Sequence, residues 1–290
     1  MTNKYFIQFF AILAALFLFG CKKAVQYPHP EIDVVFTTTI DGYDVTFNNT
    51  TEGGVSYRWD FGDGKTSTEK SPTHTYEGKG KFVPTLYVTT SGGAVLEGST
   101  VLRISKTSPV KLGDNSFEDW DDVSTAVFTS ADESNAIRFA KFDYDATSVY
   151  FYVESRRTLA DADILDIYID ADNAPSGYDL SYIFPGLGVE ALIEGPILDR
   201  TTPVLFYYRP AATWDEMWVV QSITGYIEMG TIKEEGGLLK FEGKLDRTKL
   251  RGLTGTSMKL GTIFNKNDWS EEVGYIPDSS SPGIVINMSE

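Results

Sequence analysis

Tyr57-Arg-Trp-Asp-Phe-Gly-Asp-Gly64 decides how the first part of this 290-residue chain is read. Alternation along Val55-Ser-Tyr-Arg-Trp59 predicts a strand with Trp59 pointing inward. Gly62 and Gly64 permit a tight turn, and the carboxylates of Asp60 and Asp63 can accept its amides. Similar short runs lie on either side: Asp33-Val-Val-Phe-Thr, Tyr43-Asp-Val-Thr-Phe, Phe82 to Val88 and Val101 to Ile104. Strands recurring every ~8–12 residues between Gly, Asn and Ser predict a β-sandwich.

Followed by Ser71-Pro-Thr-His-Thr-Tyr76, the stretch resembles a PKD domain, an immunoglobulin-like sandwich, over residues 31–105. The resemblance implies structural roles: Trp59 in the core, Asp63 in the turn, His74 on a strand before Tyr76. It also implies that the domain is a spacer or protein-contact module beside a functional domain.

Lys106-Thr-Ser-Pro109 opens a linker of residues 106–110, and a second domain is expected over 111–290. Val149, Phe151 and Val153 alternate with Tyr150, Tyr152 and Glu154, as do Leu165, Ile167 and Ile169 with Asp166, Tyr168 and Asp170. With further runs at 223–229, 238–245 and 258–264, this period of two predicts a larger sandwich. The fold class is therefore all-β, a small immunoglobulin-like sandwich followed by a larger, jelly-roll-like one. Phe117-Glu-Asp-Trp-Asp-Asp-Val123, Phe142 to Glu154 and Asp166-Ile-Tyr-Ile-Asp-Ala-Asp-Asn173 occur in that order. The succession is similar to sandwich domains related to family 9 carbohydrate-binding modules and to DOMON domains. That resemblance implies that Trp120 packs across the end of the sandwich and that aromatic rings grip a sugar.

Trp214 and Trp269 are the candidate sugar platforms, with Tyr208, Asn267 and Asp268 beside them. Each tryptophan is flanked by polar residues, and an exposed indole offers a flat apolar face to a pyranose ring. Trp218, next to Val219 and Val220, is read as core. Asp170, Asp172 and Asn173 cluster oxygen ligands of the kind calcium takes, and calcium is the only cofactor the residues suggest. The spacing is not that of an EF-hand loop, and a solvated Asx-rich turn is the alternative reading.

Lys4 and the apolar run from Tyr5 to Phe19 read as a secretion signal, too short to span a bilayer comfortably. Leu18-Phe19-Gly20-Cys21 resembles the lipobox of bacterial lipoproteins, which implies removal of residues 1–20 and lipidation of Cys21. Residues 21–30, with Pro28 and Pro30, then form a lipidated tether. The cysteine is the only one in the chain, so no intrachain disulfide is available. A formal net charge of −16, becoming −17 once residues 1–20 are removed, excludes a nucleic-acid partner. The only histidines, His29 and His74, lie before the second domain, so that domain has no His base for a serine nucleophile.

The expected protein is non-catalytic, anchored by lipid in the outer membrane and facing the cell exterior. Its partners are a polysaccharide or oligosaccharide and a neighbouring outer-membrane transporter. The arrangement resembles surface glycan-binding lipoproteins of the Bacteroidetes. The competing readings are a structural or adhesive protein and a glycoside-active enzyme.

Overall fold

The computed structural model describes residues 33–174, 177–199, 203–208, 218–221, 225–251, 253 and 256–289. Cys21, the segment before it, the tether of residues 21–30 and Trp214 lie outside the described residues. Among the described residues, no helix is long and apolar enough to cross a membrane. The architecture is all-β, with two sandwiches in tandem.

The first sandwich comprises β1 (Phe36–Asp41), β2 (Asp44–Asn49), β3 (Gly54–Asp60), β4 (Thr66–Ser67), β5 (Thr73–Thr75), β6 (Gly80–Phe82), β7 (Thr85–Thr90), β8 (Val95–Ser99) and β9 (Leu102–Ile104). Its sheets have the orders β1-β2-β5 and β4-β3-β7-β8, with β6 and β9 paired separately. Trp59 is wholly buried against Phe36, Phe47 and Phe61. The turn forms as its residues dictate: Asp60 Oδ1 accepts the Gly62 amide at 2.9 Å and Asp63 Oδ1 the Lys65 amide at 3.0 Å. Gly62 sits at φ +80°, and a Cβ there would lie 2.8 Å from the Val83 amide. His74, on β5, stacks on Phe61 with centroids 4.0 Å apart, and its Nε2 lies 2.7 Å from Asp63 Oδ2. Both polar residues of the motif thus hold the sandwich together.

The second sandwich contains β10 (Ala126–Thr129), β11 (Ile137–Tyr144), β12 (Ser148–Ser155), β13 (Ile164–Asp170), β14 (Tyr178–Asp179), β15 (Gly188–Val189), β16 (Ala191–Gly195), β17 (Val204–Tyr208), β18 (Trp218–Gln221), β19 (Ile227–Glu235), β20 (Leu238–Asp246), β21 (Ser257–Asn265), β22 (Glu272–Ile276) and β23 (Ile284–Asn287). One sheet has the order β10-β11-β12-β20-β19; the other runs β18-β17-β16-β13-β21-β22, with β23 also on β21. Between them lie Val149, Phe151 and Val153 from one sheet and Leu165, Ile167 and Ile169 from the other. Burying such faces supplies the main stabilisation, at about 25 cal/mol per Å² of apolar surface.

The opposite faces are covered too, contrary to the simple alternation of buried and solvated positions. Trp120 does not cap the end of the sandwich: it lies on the outer face of the five-stranded sheet, stacked on Tyr152 at 5.7 Å. Its Nε1 donates to Glu242 Oε2 at 2.9 Å, while Glu242 Oε1 accepts the amides of Gly113 and Thr231 at 3.1 and 2.9 Å. Glu242 is wholly buried, and Thr231 lies where the β19–β20 register shifts. A bulge amide, an incoming loop and an indole therefore share one carboxylate.

The linker is clamped. Asp143, 1% exposed, accepts from Lys106 Nζ at 2.5 Å, Ser108 Oγ at 2.7 Å and Thr125 Oγ1 at 2.6 Å. Across the joint, Lys79 Nζ donates to the Tyr144 hydroxyl at 3.0 Å, and the Thr107 amide to the Tyr43 hydroxyl at 3.3 Å.

Glu242→Gln places an NH₂ group against a donor in this arrangement. It is expected to lower unfolding free energy by about 2–4 kcal/mol, measured by urea unfolding, because a buried donor then loses its acceptor. A loss below ~0.5 kcal/mol contradicts the role assigned to this carboxylate.

Candidate functional site

Ile164, Asp166, Tyr168 and Asp170 face away from the inter-sheet core, on the outer side of the seven-stranded sheet. Register brings Glu194 and Ile263 beside Asp166, and Leu192 and Gly261 beside Tyr168. Residues 178–187 fold over part of this face, seating Leu180, Phe184 and Leu187 on Tyr168 and Ile263. Gly261 admits them: a Cβ there would lie 2.5 Å from the Phe184 ring.

Asp166 is 5% exposed, and its Oδ2 accepts from Asn265 Nδ2 at 2.9 Å. Burial, reinforced by the neighbouring Glu194 carboxylate, pushes its pKa up to about 8, against the pull of Asn265. Burial also raises Glu194. A protonated carboxyl next to a second carboxylate is the arrangement a general acid uses.

At the Asp170 end of this face, Tyr178, Tyr208 and Trp218 form a three-ring cluster with centroids 5.5–6.0 Å apart. Trp218 is therefore half-buried on the outer face, not in the inter-sheet core. Register explains this, because it pairs Trp218 with Tyr208, while Tyr207 turns inward. Tyr182, 71% exposed, stands beside Tyr178.

Asp170 itself is wholly buried and neither carboxylate oxygen has a hydrogen-bond partner. Lys259 Nζ is 3.6 Å away. Burial raises its pKa, opposed by Lys259 and by the facing amides of Asn173 and Gly188. Asp172 and Glu190 bring carboxylate oxygens to Asp170, all three within 4.8 Å of one another. Asn173, at φ +55°, faces Asp170 with its backbone amide, while its side-chain Nδ2 donates to Ser257 Oγ at 3.1 Å. Glu190 joins the cluster from just before the neighbouring strand β16, its Oε2 accepting the Ala171 amide at 2.8 Å. Sequence reading missed Glu190, although a lone acid inside Leu187-Gly-Val-Glu-Ala-Leu-Ile193 was the available signal.

Trp269 lies at the other end of β21, on the loop after Asn265. About six strand residues at ~3.3 Å each separate that end from Asp170, so Trp269 and Tyr208 do not share a pocket. The loop is built to display the indole. Trp269 N donates to Lys266 O at 2.9 Å, the Ser270 amide donates to Asp268 Oδ1 at 3.0 Å, and Asn267 Nδ2 donates to Asp161 O at 3.1 Å. Ser270 holds the Asp268 carboxyl below its ordinary range. The two polar residues expected beside the sugar thus shape the turn, and Trp269 is left 52% exposed at φ +61°. Lys266 and Glu271, paired at 2.5 Å, stand next to it, with Arg157 at its Asp163 and Asp161 partners.

The fold and these surfaces define a two-sandwich protein with no helix-borne or histidine-based site among the described residues. Residues 28–104 match the family model of the PKD domain, and the first sandwich is such a domain. The chain is 44% identical over 50 residues to collagenase ColQ1 of Bacillus cereus (strain Q1), covering 17% of this chain and 5% of that one. It is 42% identical over 69 residues to a microbial collagenase of Vibrio alginolyticus, covering 22% and 8%. This chain thus spans under a tenth of the curated relatives it matches. Among solved structures, the PKD1 domain of Vibrio anguillarum Epp is 32% identical, over 25% of this chain and 92% of that one, with a TM-score of 0.24. A structure from work on the promiscuous specificity of carbohydrate-binding modules of the β-sandwich superfamily is 14% identical, over 74% and 91%, with a TM-score of 0.26.

Asp166 gives a pH signature. Its folded pKa of about 8 exceeds its ordinary 3.8, so the native state binds the extra proton between these values and stability falls as pH rises through that window. Asp166→Asn is expected to flatten this decline and raise the melting midpoint at pH 8, measured against the parent chain from pH 5 to 8. Identical pH profiles contradict the assignment.

Proposed function

We propose that this chain is a non-catalytic, lipid-anchored cell-surface protein that binds glycans and passes them to a neighbouring outer-membrane uptake system. The observation that carries this reading is Trp269. A bulky residue at positive φ is strained, and an indole left 52% exposed forgoes much of the gain of burial, so folding alone gains little from either feature. Both serve a stacking platform, and the exposed Lys266–Glu271 pair on the same loop can bond sugar hydroxyls. The chain's net charge of −16 suits neutral rather than anionic polymers.

In this reading the PKD domain is a spacer, and the lipobox-like Leu18-Phe19-Gly20-Cys21 supplies the anchor and outward-facing outer-membrane location. Cys21→Ser is then expected to move the protein from the membrane fraction to the soluble one. An unchanged membrane fraction contradicts lipidation at this residue.

Retardation in native gels containing plant, algal and host glycans tests the binding reading. Trp269→Gly is expected to abolish retardation while leaving the melting midpoint unchanged or higher, because glycine accepts φ +61° at lower cost. Retardation by no glycan, or retention of it by Trp269→Gly, removes Trp269 as the platform. A hydrolytic Asp166–Glu194 pair would instead show as reducing sugar released from the same panel.

A further inference from the structure

We propose that Asp170, Asp172 and Glu190 form a binding site for a divalent cation of the calcium class, at the edge of the three-ring cluster. The proposal is independent of glycan binding. Three carboxylates converge within 4.8 Å, and the central one, Asp170, is wholly buried with no hydrogen bond to either oxygen. An ionised carboxylate removed from water without hydrogen bonds is expensive, and it is retained only where something supplies the missing interactions. The facing amides of Asn173 and Gly188, and Lys259 at 3.6 Å, compensate this carboxylate only in part, against three acids. A hard cation with a preference for oxygen supplies the rest.

The backbone around the cluster is fitted to this convergence. Asp170 ends β13, the Glu190 amide donates to Ile169 O at 3.0 Å, and Asp172 begins the turn that reverses the chain at Asn173. Gly177, at φ +89°, passes so close that a Cβ would lie 2.6 Å from both Glu190 Oε1 and Val189 O. Only glycine lets the returning chain reach these oxygens. All three ligands are carboxylates and no nitrogen or sulfur ligand stands among them, which favours calcium over zinc or copper. Magnesium, which needs a tighter octahedron and gives up its waters reluctantly, suits this mixture of buried and exposed carboxylates less well.

The test uses the purified full-length chain in mild detergent. After chelation, added calcium is expected to raise the melting midpoint by several degrees, and equimolar magnesium by much less. Terbium, a calcium surrogate, is expected to give one saturable luminescence signal excited through the nearby tyrosines and tryptophan and competed away by calcium. Asp172→Asn, a substitution in an exposed turn, is expected to weaken calcium binding by more than about tenfold. Asp170→Asn is expected to abolish the calcium-dependent shift, and in chelator to melt no lower than the parent, because it removes a poorly compensated buried charge. A melting midpoint indifferent to calcium overturns the proposal. So does a calcium shift that survives in both variants, which would place the ion elsewhere.

Discussion

A carboxylate taken out of water must be given hydrogen bonds, an opposite charge or a proton, and this requirement organises the second sandwich. Among the described residues of that domain, five acids are buried: Asp143, Asp163, Asp166, Asp170 and Glu242. Glu242 receives three N–H donors, Asp143 an ammonium and two hydroxyls, and Asp163 a two-pronged contact from Arg157 at 2.7 and 2.8 Å. These three fix a bulge, the joint between domains and a strand entry. Asp166 has one amide donor and retains a proton near neutrality, and Asp170 has only facing amides and a distant Lys259, with no hydrogen bond of good geometry. The gradient of compensation separates acids whose partners fix the fold from two whose charge the fold leaves poorly compensated.

This gradient runs across one surface. Both under-compensated acids lie on β13, on the side facing away from the inter-sheet core, and the strand's other face is packed with Leu165, Ile167 and Ile169. Sheet registry then sorts the remaining groups. It brings Glu194 to Asp166 and aligns Lys259 with Asp170. The aromatic rings of Tyr178, Tyr208 and Trp218 gather at the cation-seeking end, and the displayed indole of Trp269 stands at the other.

Much of this was legible in the sequence wherever the controlling interactions are local. The Asp60 and Asp63 turns close within two residues of their carboxylates, so the motif carried both its own geometry and its domain. The alternation of β12, β13, β20 and β21 likewise located the inter-sheet core. The strands β4 and β8 escaped because two residues, or an edge strand, leave little periodic trace. Glu190 escaped for a different reason. It reaches Asp170 through the pairing of β13 with β16, a contact that spacing along the chain does not encode. Trp218 was misplaced because adjacent valines suggest burial without saying on which side of the sheet. In each case the residue type was informative, and only register fixed its neighbours.

The clamped joint has a mechanical consequence. Lys106 and Ser108 share Asp143, and Lys79 reaches across to Tyr144, so the linker between the domains is braced. A tug on the second sandwich, from whatever it holds, is therefore passed to the first as torque instead of being absorbed by a swivelling linker.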